Sequence, residues 1–133
     1  MVSTTAKIDA FLAKLENESR LSAHTVAGYR RDLKTFVKFL SHEEITDLNN
    51  FDFWKAREFV PFLHRYEDID RKEHLSEVKR KRINEGRSSR SIDRALSAAR
   101  GFFYYLLNEK KVSKDRLYRE HRVANNPFVG VIS

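Results

Sequence analysis

Hydrophobic residues recur at three- and four-residue steps over long parts of the chain, a period that is typical of amphipathic helices. Residues 5–16 carry Ile8, Phe11, Leu12 and Leu15 on one helical face. Residues 22–41 show the clearest pattern, and Ser22 suits the position that caps the helix N-terminus. The apolar face of this second helix comprises Val26, Tyr29, Leu33, Phe36, Val37 and Leu40. Its opposite stripe comprises Ala27, Arg31, Lys34 and Lys38, with Arg30 beside it.

The pattern is less regular after residue 43. Asp52 is placed to cap a helix whose apolar residues are Phe53, Trp54, Phe59, Val60, Phe62 and Leu63. Pro61 is expected to kink or end this helix, because proline lacks the amide donor and clashes with the preceding turn. Residues 71–85 are highly charged and predict a mostly solvated helix that ends at Gly86.

A further clear helix is predicted over residues 88–107, with Ser88 as its N-cap. Its apolar face comprises Ile92, Ala95, Leu96, Ala99, Phe102, Phe103 and Leu106, and its far side comprises Arg90, Arg94, Ser97 and Gly101. Tyr104 and Tyr105 lie in its apolar part, where core packing with a polar tip is expected. A short helix is predicted after Ser113, and "NNPF" at residues 125–128 is a turn signal. No strand-like alternation persists, so we expect an all-α fold, a compact bundle of four to six helices.

The composition suits one globular domain with a polyanionic partner. The 133 residues include 41% hydrophobic and 12% aromatic residues, which argues against intrinsic disorder. Lysine and arginine number 26 against 19 acidic residues, a formal net charge of +7. This excess favours nucleic acid or an anionic membrane surface as a partner, although it is also compatible with simple solubility.

Several classes of site are disfavoured by the sequence. It contains no cysteine, and its five histidines show no paired ligand spacing, so we expect no metal and no cofactor. No apolar run approaches the ~18 residues of a membrane span, and the N-terminus lacks a signal-peptide core. We therefore expect a cytoplasmic protein that does not enter a membrane.

The helices at 22–41 and 88–107 share one design, since each has a hydroxyl-rich N-terminus, an apolar face and a basic outer stripe. A helix fits the DNA major groove, where its N-terminal residues reach base edges, and hydroxyl groups and free amides suit phosphate oxygens. These two helices are therefore the predicted contacts to double-stranded DNA. A solvated basic face on an ordinary bundle is the alternative interpretation.

Two stretches of the sequence resemble a known protein family. "LSAHTVAGYRRDLKTFVKFL" is similar to the phrase that opens the N-terminal core-binding (SAM-like) domain of tyrosine recombinases and phage integrases, especially those of Xer type. The likeness resides in Leu21, Ser22, Thr25, Tyr29, Asp32, Leu33, Phe36 and Leu40. "SSRSIDRALSAARGFFYYL" resembles the second phrase of the family, through Ser88, Ser91, Ile92, Arg94, Leu96, Ser97, Arg100, Phe102 and Tyr105. "NNPF" resembles the point where this domain hands over to the catalytic domain.

The resemblance implies a helical domain that clamps one face of duplex DNA while a catalytic domain closes on the opposite face. Arg31 and Lys34 are expected mainly to hold phosphates, and Arg90 and Arg94 to reach bases from one exposed stripe. Arg100 ranks lower because it lies towards the apolar flank. The full set of expected DNA-binding residues is Ser22, His24, Thr25, Arg30, Arg31, Lys34, Ser88, Arg90, Ser91 and Arg94.

The resemblance also predicts a domain organisation. Residues 1–126 would form the core-binding domain, and residues 127–133 would begin the linker to an absent catalytic domain. The His-x-x-Arg motif and the late nucleophilic tyrosine of the family have no counterpart, so this chain is expected to be inactive in strand cleavage. The full-length recombinase would act as a tetramer on paired DNA sites, and this fragment would be a monomer or a weak dimer.

Residues 51–87 depart from the family pattern. They are longer and more charged than the usual link between the two phrases, and "RKEHLSEVKRKRINEGR" looks like an insertion. Lys79, Arg80, Lys81 and Arg82 would either extend the phosphate contacts or form a solvated helix face. Two other functions remain open from the sequence. These are a stand-alone helical DNA-binding regulator and a helix-bundle module for protein interaction, in which the basic charge is incidental.

Overall fold

The computed structural model describes residues 3–18, 21–65, 88–112 and 126–132. These residues form four α-helices: α1 (Thr4–Glu18), α2 (Ala23–His42), α3 (Phe53–Arg65) and α4 (Ser89–Val112). A short 3-10 helix, Leu48–Asn50, lies between α2 and α3. The all-α prediction is confirmed, and the described residues contain no strand. The predicted helix over 71–85, the basic run at 79–82 and the helix after Ser113 lie outside the described residues.

Each helix begins at a side chain that accepts a backbone hydrogen bond. The Ser3 Oγ accepts from the Ala6 amide at 3.1 Å, and the Asp52 Oδ1 accepts from the Lys55 amide at 2.9 Å. Ser22 and Ser88 cap α2 and α4 in the same way, as predicted. Such a cap satisfies an amide that the helix itself leaves without a partner.

Phenylalanine rings fill the centre of the fold. Phe36 of α2 is fully buried, and its ring lies 5.5 Å from Phe59 of α3 and 6.0 Å from Phe103 of α4, measured between centroids. The rings of Phe51 and Phe128, from the connecting and C-terminal segments, lie 5.2 Å and 5.9 Å from the same ring. The edge-to-face arrangement of these pairs is a favoured geometry for aromatic side chains. One aromatic cluster therefore joins three helices to both irregular segments.

Pro61 was expected to kink or end α3, and the helix does not end there but continues to Arg65. Pro61 is exposed, whereas Phe59 and Leu63 on either side of it are fully buried. Burial of these two side chains holds the last turn in place although one backbone hydrogen bond is lost.

The C-terminal segment packs on the bundle instead of leaving it. Phe128 is fully buried and Val131 is 3% exposed, and both belong to the core. Residues 127–133 were predicted to begin a linker, and within this range Phe128 and Val131 pack on the core of the bundle. The family resemblance implied that the domain hands over to its catalytic partner at "NNPF". The turn instead directs Phe128 inwards: its amide donates to the Asn126 Oδ1 at 3.0 Å.

Candidate nucleic-acid interface

The N-terminal end of α2 presents a pair of hydroxyl groups. The Ser22 Oγ accepts from the Thr25 amide at 3.1 Å and lies 3.0 Å from the Thr25 Oγ1. Ser22 and His24 are exposed, and Thr25 is half-buried. The cap leaves the preceding amides of the first turn directed out of the helix end, where they can meet an anion.

The N-terminal end of α4 has a similar cap and one exposed arginine. The Ser88 Oγ accepts from the Ser91 amide at 3.1 Å, and the Ser88 carbonyl accepts from the Ile92 amide at 3.0 Å. Ser88 and Arg90 are exposed, and Ser91 is half-buried. No ion pair of Arg90 occurs within the described residues, so its guanidinium is available for an external partner.

The order of contacts between α2 and α4 places these two N-termini at the same end of the bundle. Asp32 of α2 pairs with Arg94 of α4, and further along both helices Phe36 of α2 packs on Phe103 of α4. The contacts advance together along the two helices, so the helix axes run in broadly the same direction. The Ser22 and Ser88 caps therefore lie at one end, as a shared binding surface requires.

A basic stripe runs along α2 from this end. Arg31 and Lys34 are exposed, as the sequence pattern predicted, and neither forms an ion pair within the described part of the chain. Arg30 differs, because its Nη2 donates to the Glu16 Oε1 of α1 at 3.1 Å. This pair is exposed on both sides and holds Arg30 only weakly. Arg31 and Lys34 are therefore positive charges of the stripe that have no acidic partner among the described residues.

Arg94 was expected to share an exposed stripe with Arg90, and its side chain is 37% exposed but also pairs with α2. The Arg94 Nε and Nη2 donate to the two carboxylate oxygens of Asp32 at 2.7 Å and 3.1 Å. These hydrogen bonds raise the pKa of the Arg94 guanidinium above its ordinary value, against the opposing effect of burial. Gly101, placed on the same far side, packs against Phe11 of α1. Part of this side of α4 is therefore covered, because α4 packs against α1, α2 and α3.

Asp32 and Gly28 were not predicted to have a role in this region. Asp32 lies between apolar positions of α2 and is 1% exposed. A carboxylate on an apolar helix face needs a cationic or hydrogen-bonding partner, and this rule could have indicated an arginine on another helix. No pattern in the sequence indicated a role for Gly28, because that role depends on how closely the Arg94 side chain of α4 approaches the α2 backbone.

The tyrosines of α4 differ from the sequence expectation. Tyr104 was expected in the core but is 63% exposed. Tyr105 is half-buried, with its ring 5.5 Å from that of Phe11 and the Lys14 Nζ 5.5 Å from its own ring centre. Among the described residues, neither tyrosine lies in a cluster of cationic groups of the kind that activates a nucleophile.

A shallow cavity of about 480 Å³ lies at the other end of α2. Its walls carry charges of both signs, and its lining residues are Phe39, His42, Glu43, Glu58, Pro61, Phe62 and Arg65. Beside it, the Lys55 Nζ lies 3.6 Å from Glu43 and 3.2 Å from Glu58. The hydrogen bond to Glu58 raises the pKa of Lys55 above its usual value. This mixed charge distinguishes the cavity from the basic N-terminal end.

The described residues contain neither a candidate metal site nor a candidate membrane span. Residues 3–18, 21–65, 88–112 and 126–132 contain no group of three or more histidine or acidic side chains that could hold a metal ion. Within the same ranges, no helix combines the length and the apolar character needed to cross a membrane.

Comparison with known proteins agrees with the resemblance of the two helical phrases. Residues 8–68 match the family described as phage integrase, N-terminal SAM-like domain. The chain is 37% identical over 110 residues to a tyrosine recombinase XerC of Pseudomonas aeruginosa, and 36% identical over 110 residues to that of Azotobacter vinelandii. Each match covers 83% of this chain and 30% of the relative, so the chain spans less than a third of the length of these proteins.

No solved structure matches the chain. The family match covers most of α1 and all of α2 and α3, and the architecture agrees with a helical domain of this kind. The chain therefore belongs to the phage integrase N-terminal SAM-like domain family, as an Xer-type N-terminal domain of a tyrosine recombinase.

Proposed function

We propose that this chain is the DNA-binding domain of a site-specific tyrosine recombinase and clamps one face of duplex DNA. The observation that carries the proposal is the placement of the capped N-termini of α2 and α4 at one end of the bundle. Exposed Arg90 lies in the first turn of α4, and exposed Arg31 lies near the middle of α2, on its basic stripe. A pair of helix ends with hydroxyl groups and arginines suits a major groove and its flanking phosphates.

The charge of the whole chain supports the same partner. A net charge of +7 attracts a polyanion at long range, and neutralising phosphates releases counterions from the duplex. On this proposal Arg31 and Lys34 hold phosphates, and Arg90 reaches a base edge. Ser22, His24, Thr25, Arg30, Ser88 and Ser91 contribute hydrogen bonds around these contacts.

The activity of the whole protein is part of the proposal. The relatives are named tyrosine recombinases, and most of their length has no counterpart in this chain. We infer that strand breaking and rejoining require a catalytic domain beyond this one. The complete recombinase would work in the cytoplasm as a tetramer on paired sites, and the domain by itself would be a monomer or a weak dimer.

The test is a titration of the 133-residue chain with a labelled, mixed-sequence DNA duplex over a series of salt concentrations. The logarithm of the binding constant should fall linearly with the logarithm of the salt concentration. Arg31→Gln and Lys34→Gln should each weaken binding and flatten this slope by about 0.9, since each removes one phosphate contact.

Arg65→Gln is the matched control, because Arg65 is exposed and lies beside the cavity at the other end of α2. It should leave both the affinity and the slope close to those of the unchanged chain. Failure of the unchanged chain to bind the duplex, or binding that is independent of salt, would contradict the proposal. Such a result would favour a module for protein interaction with incidental charge.

A further inference from the structure

Among the described residues, Asp32 is the one charged residue that is buried, with 1% of its surface exposed. Arg94 pairs with it. The two bonds, at 2.7 Å and 3.1 Å, join both carboxylate oxygens to two nitrogens of one guanidinium. A bidentate pair of this kind fixes the orientation of both groups as well as their distance. It is therefore a rigid link between α2 and α4.

Gly28, one turn before Asp32, makes room for this link. A Cβ atom at position 28 would lie 3.2 Å from the Arg94 Nε and 3.3 Å from its Cδ and Cζ. The arginine side chain thus lies directly against the α2 backbone. Any larger residue at position 28 would press on the part of Arg94 that pairs with Asp32.

Stability alone gives a weak reason for such a pair. Removing a carboxylate from water is costly, and well-packed hydrophobic residues commonly stabilise a core as well as a buried ion pair does. A bidentate pair does provide one defined arrangement of two helices, which hydrophobic packing specifies less strictly. The position of the pair along α2 and α4 indicates that this arrangement includes the two capped helix ends.

The contact between Gly28 and Arg94 lies at the same distance from both candidate DNA-binding helix ends, and Asp32 lies one turn further along α2. Gly28 follows Ser22 by six positions, and Arg94 follows Ser88 by six positions. At 1.5 Å per residue, each cap is about 9 Å along its helix from the shared contact. A slip of one helix along the other would move one cap relative to its partner and would break the pair.

We propose that Arg94 is a positioning residue, which acts with Asp32 and Gly28 to hold the capped ends of α2 and α4 in register for one duplex. This inference rests on the proposed DNA-binding function. Arg94 does not itself hold a phosphate: its charge is balanced by Asp32, and two of its donors are already used. Its removal should therefore change affinity through helix placement and not through counterion release.

Asp32→Asn distinguishes this role from a direct contact of Arg94 with DNA, because the two roles predict opposite changes in DNA affinity. The substitution raises the net charge by one and releases Arg94 from its carboxylate. If Arg94 contacted DNA, or if charge alone mattered, binding to a mixed-sequence duplex would become tighter and the salt slope steeper. Positioning predicts that binding becomes weaker by roughly 5- to 100-fold, the usual range for coupled groups, with little change in slope.

Glu16→Gln is the matched control for the added charge. It also removes one negative charge and releases an arginine, Arg30, but it leaves the contact between α2 and α4 intact. It should bind the duplex at least as tightly as the unchanged chain. Circular dichroism at the assay temperature would confirm that each variant is folded, so that a loss of stability alone is not taken for a loss of affinity.

Arg94→Lys provides a second measurement that does not alter net charge. Lysine can still meet a phosphate but lacks the fork that fits both oxygens of Asp32. Weaker DNA binding by both variants, each shown to be folded, supports the proposal. If Asp32→Asn does not fold, the result for Arg94→Lys decides. Affinity at or above that of the unchanged chain, in any folded variant of the two, overturns it. If the unchanged chain does not bind DNA, the proposed function fails instead.

Discussion

The Arg100 Nη2 of α4 donates to the backbone carbonyl of Val131 at 3.2 Å, which attaches the C-terminal segment to the bundle. The Asn126 Nδ2 donates back to the Arg100 carbonyl at 3.0 Å, so the two segments are joined in both directions. Between these bonds the ring of Phe128 is fully buried. The segment is thus part of the folded domain, and its last described residues lie beside α3, where Gly130 with φ +85° approaches Phe53.

Phe128→Ala should lower the free energy of unfolding by about 3 to 5 kcal/mol, because a fully buried ring is lost and a cavity remains. Urea denaturation followed by circular dichroism measures this change. Val129→Ala is the control on the same turn: Val129 is 65% exposed, and its truncation should cost less than about 0.5 kcal/mol. Equal effects of the two substitutions would show that the segment does not belong to the core.

Phe36→Ala and Phe103→Ala should each cost about 3 to 5 kcal/mol, since both rings are fully buried in the aromatic cluster. The losses of stability should not be additive in the double variant, because the two rings pack together with their centroids 6.0 Å apart. Tyr104→Ala, next to Phe103 but 63% exposed, should have a small effect. A loss below about 1 kcal/mol for both phenylalanines would mean that the apolar faces of α2 and α4 are assigned wrongly.

Arg90→Ala should weaken binding to the preferred DNA site by about 1 to 3 kcal/mol and should affect a scrambled duplex much less, if the arginine reaches a base. The preferred site can be selected from a random pool of duplexes with the unchanged chain. Titration of both duplexes across a salt series distinguishes a contact of Arg90 with a base from a contact with a phosphate. Equal losses on the two duplexes would assign Arg90 to a phosphate, and no loss on either would remove it from the interface.

The 133-residue chain should form no covalent adduct with DNA. Tyrosine nucleophiles require cationic groups that stabilise charge on the phosphate, and neither Tyr104 nor Tyr105 lies among such groups in the described part of α4. A nicked suicide duplex, followed by a denaturing gel, tests this expectation. Tyr104→Phe is the variant to compare, and a protein–DNA band that this substitution abolishes would disprove it.

Much of the fold could be predicted from local patterns in the sequence. The three- and four-residue spacing of apolar positions in 22–41 and 88–107 predicted α2 and α4 closely, and Ser22, Asp52 and Ser88 cap their helices as expected. These features depend on neighbours within one or two turns, so the sequence contains the information directly. The two helical phrases also indicated the family, which the comparisons support.

Long-range contacts changed the assignment of individual residues. Periodicity placed Arg94 on the exposed side of its helix, but Asp32, 62 positions earlier in the sequence, pairs with it. Pro127 looked like the start of a linker, but Arg100 and the aromatic cluster hold the following residues on the bundle. In both cases the deciding partner is remote in the sequence.

By itself, the sequence determined the helices, their caps, the basic stripe of α2 and the family of the domain, because each depends on local spacing and composition. Only the tertiary structure decided which arginine is available at the candidate interface. The exposed face of a helix depends on how many neighbours pack around it, and α4 contacts α1, α2, α3 and the C-terminal segment. Arg90 remains exposed near the start of α4, whereas Arg94, one turn further, meets a buried carboxylate whose desolvation requires a charged partner.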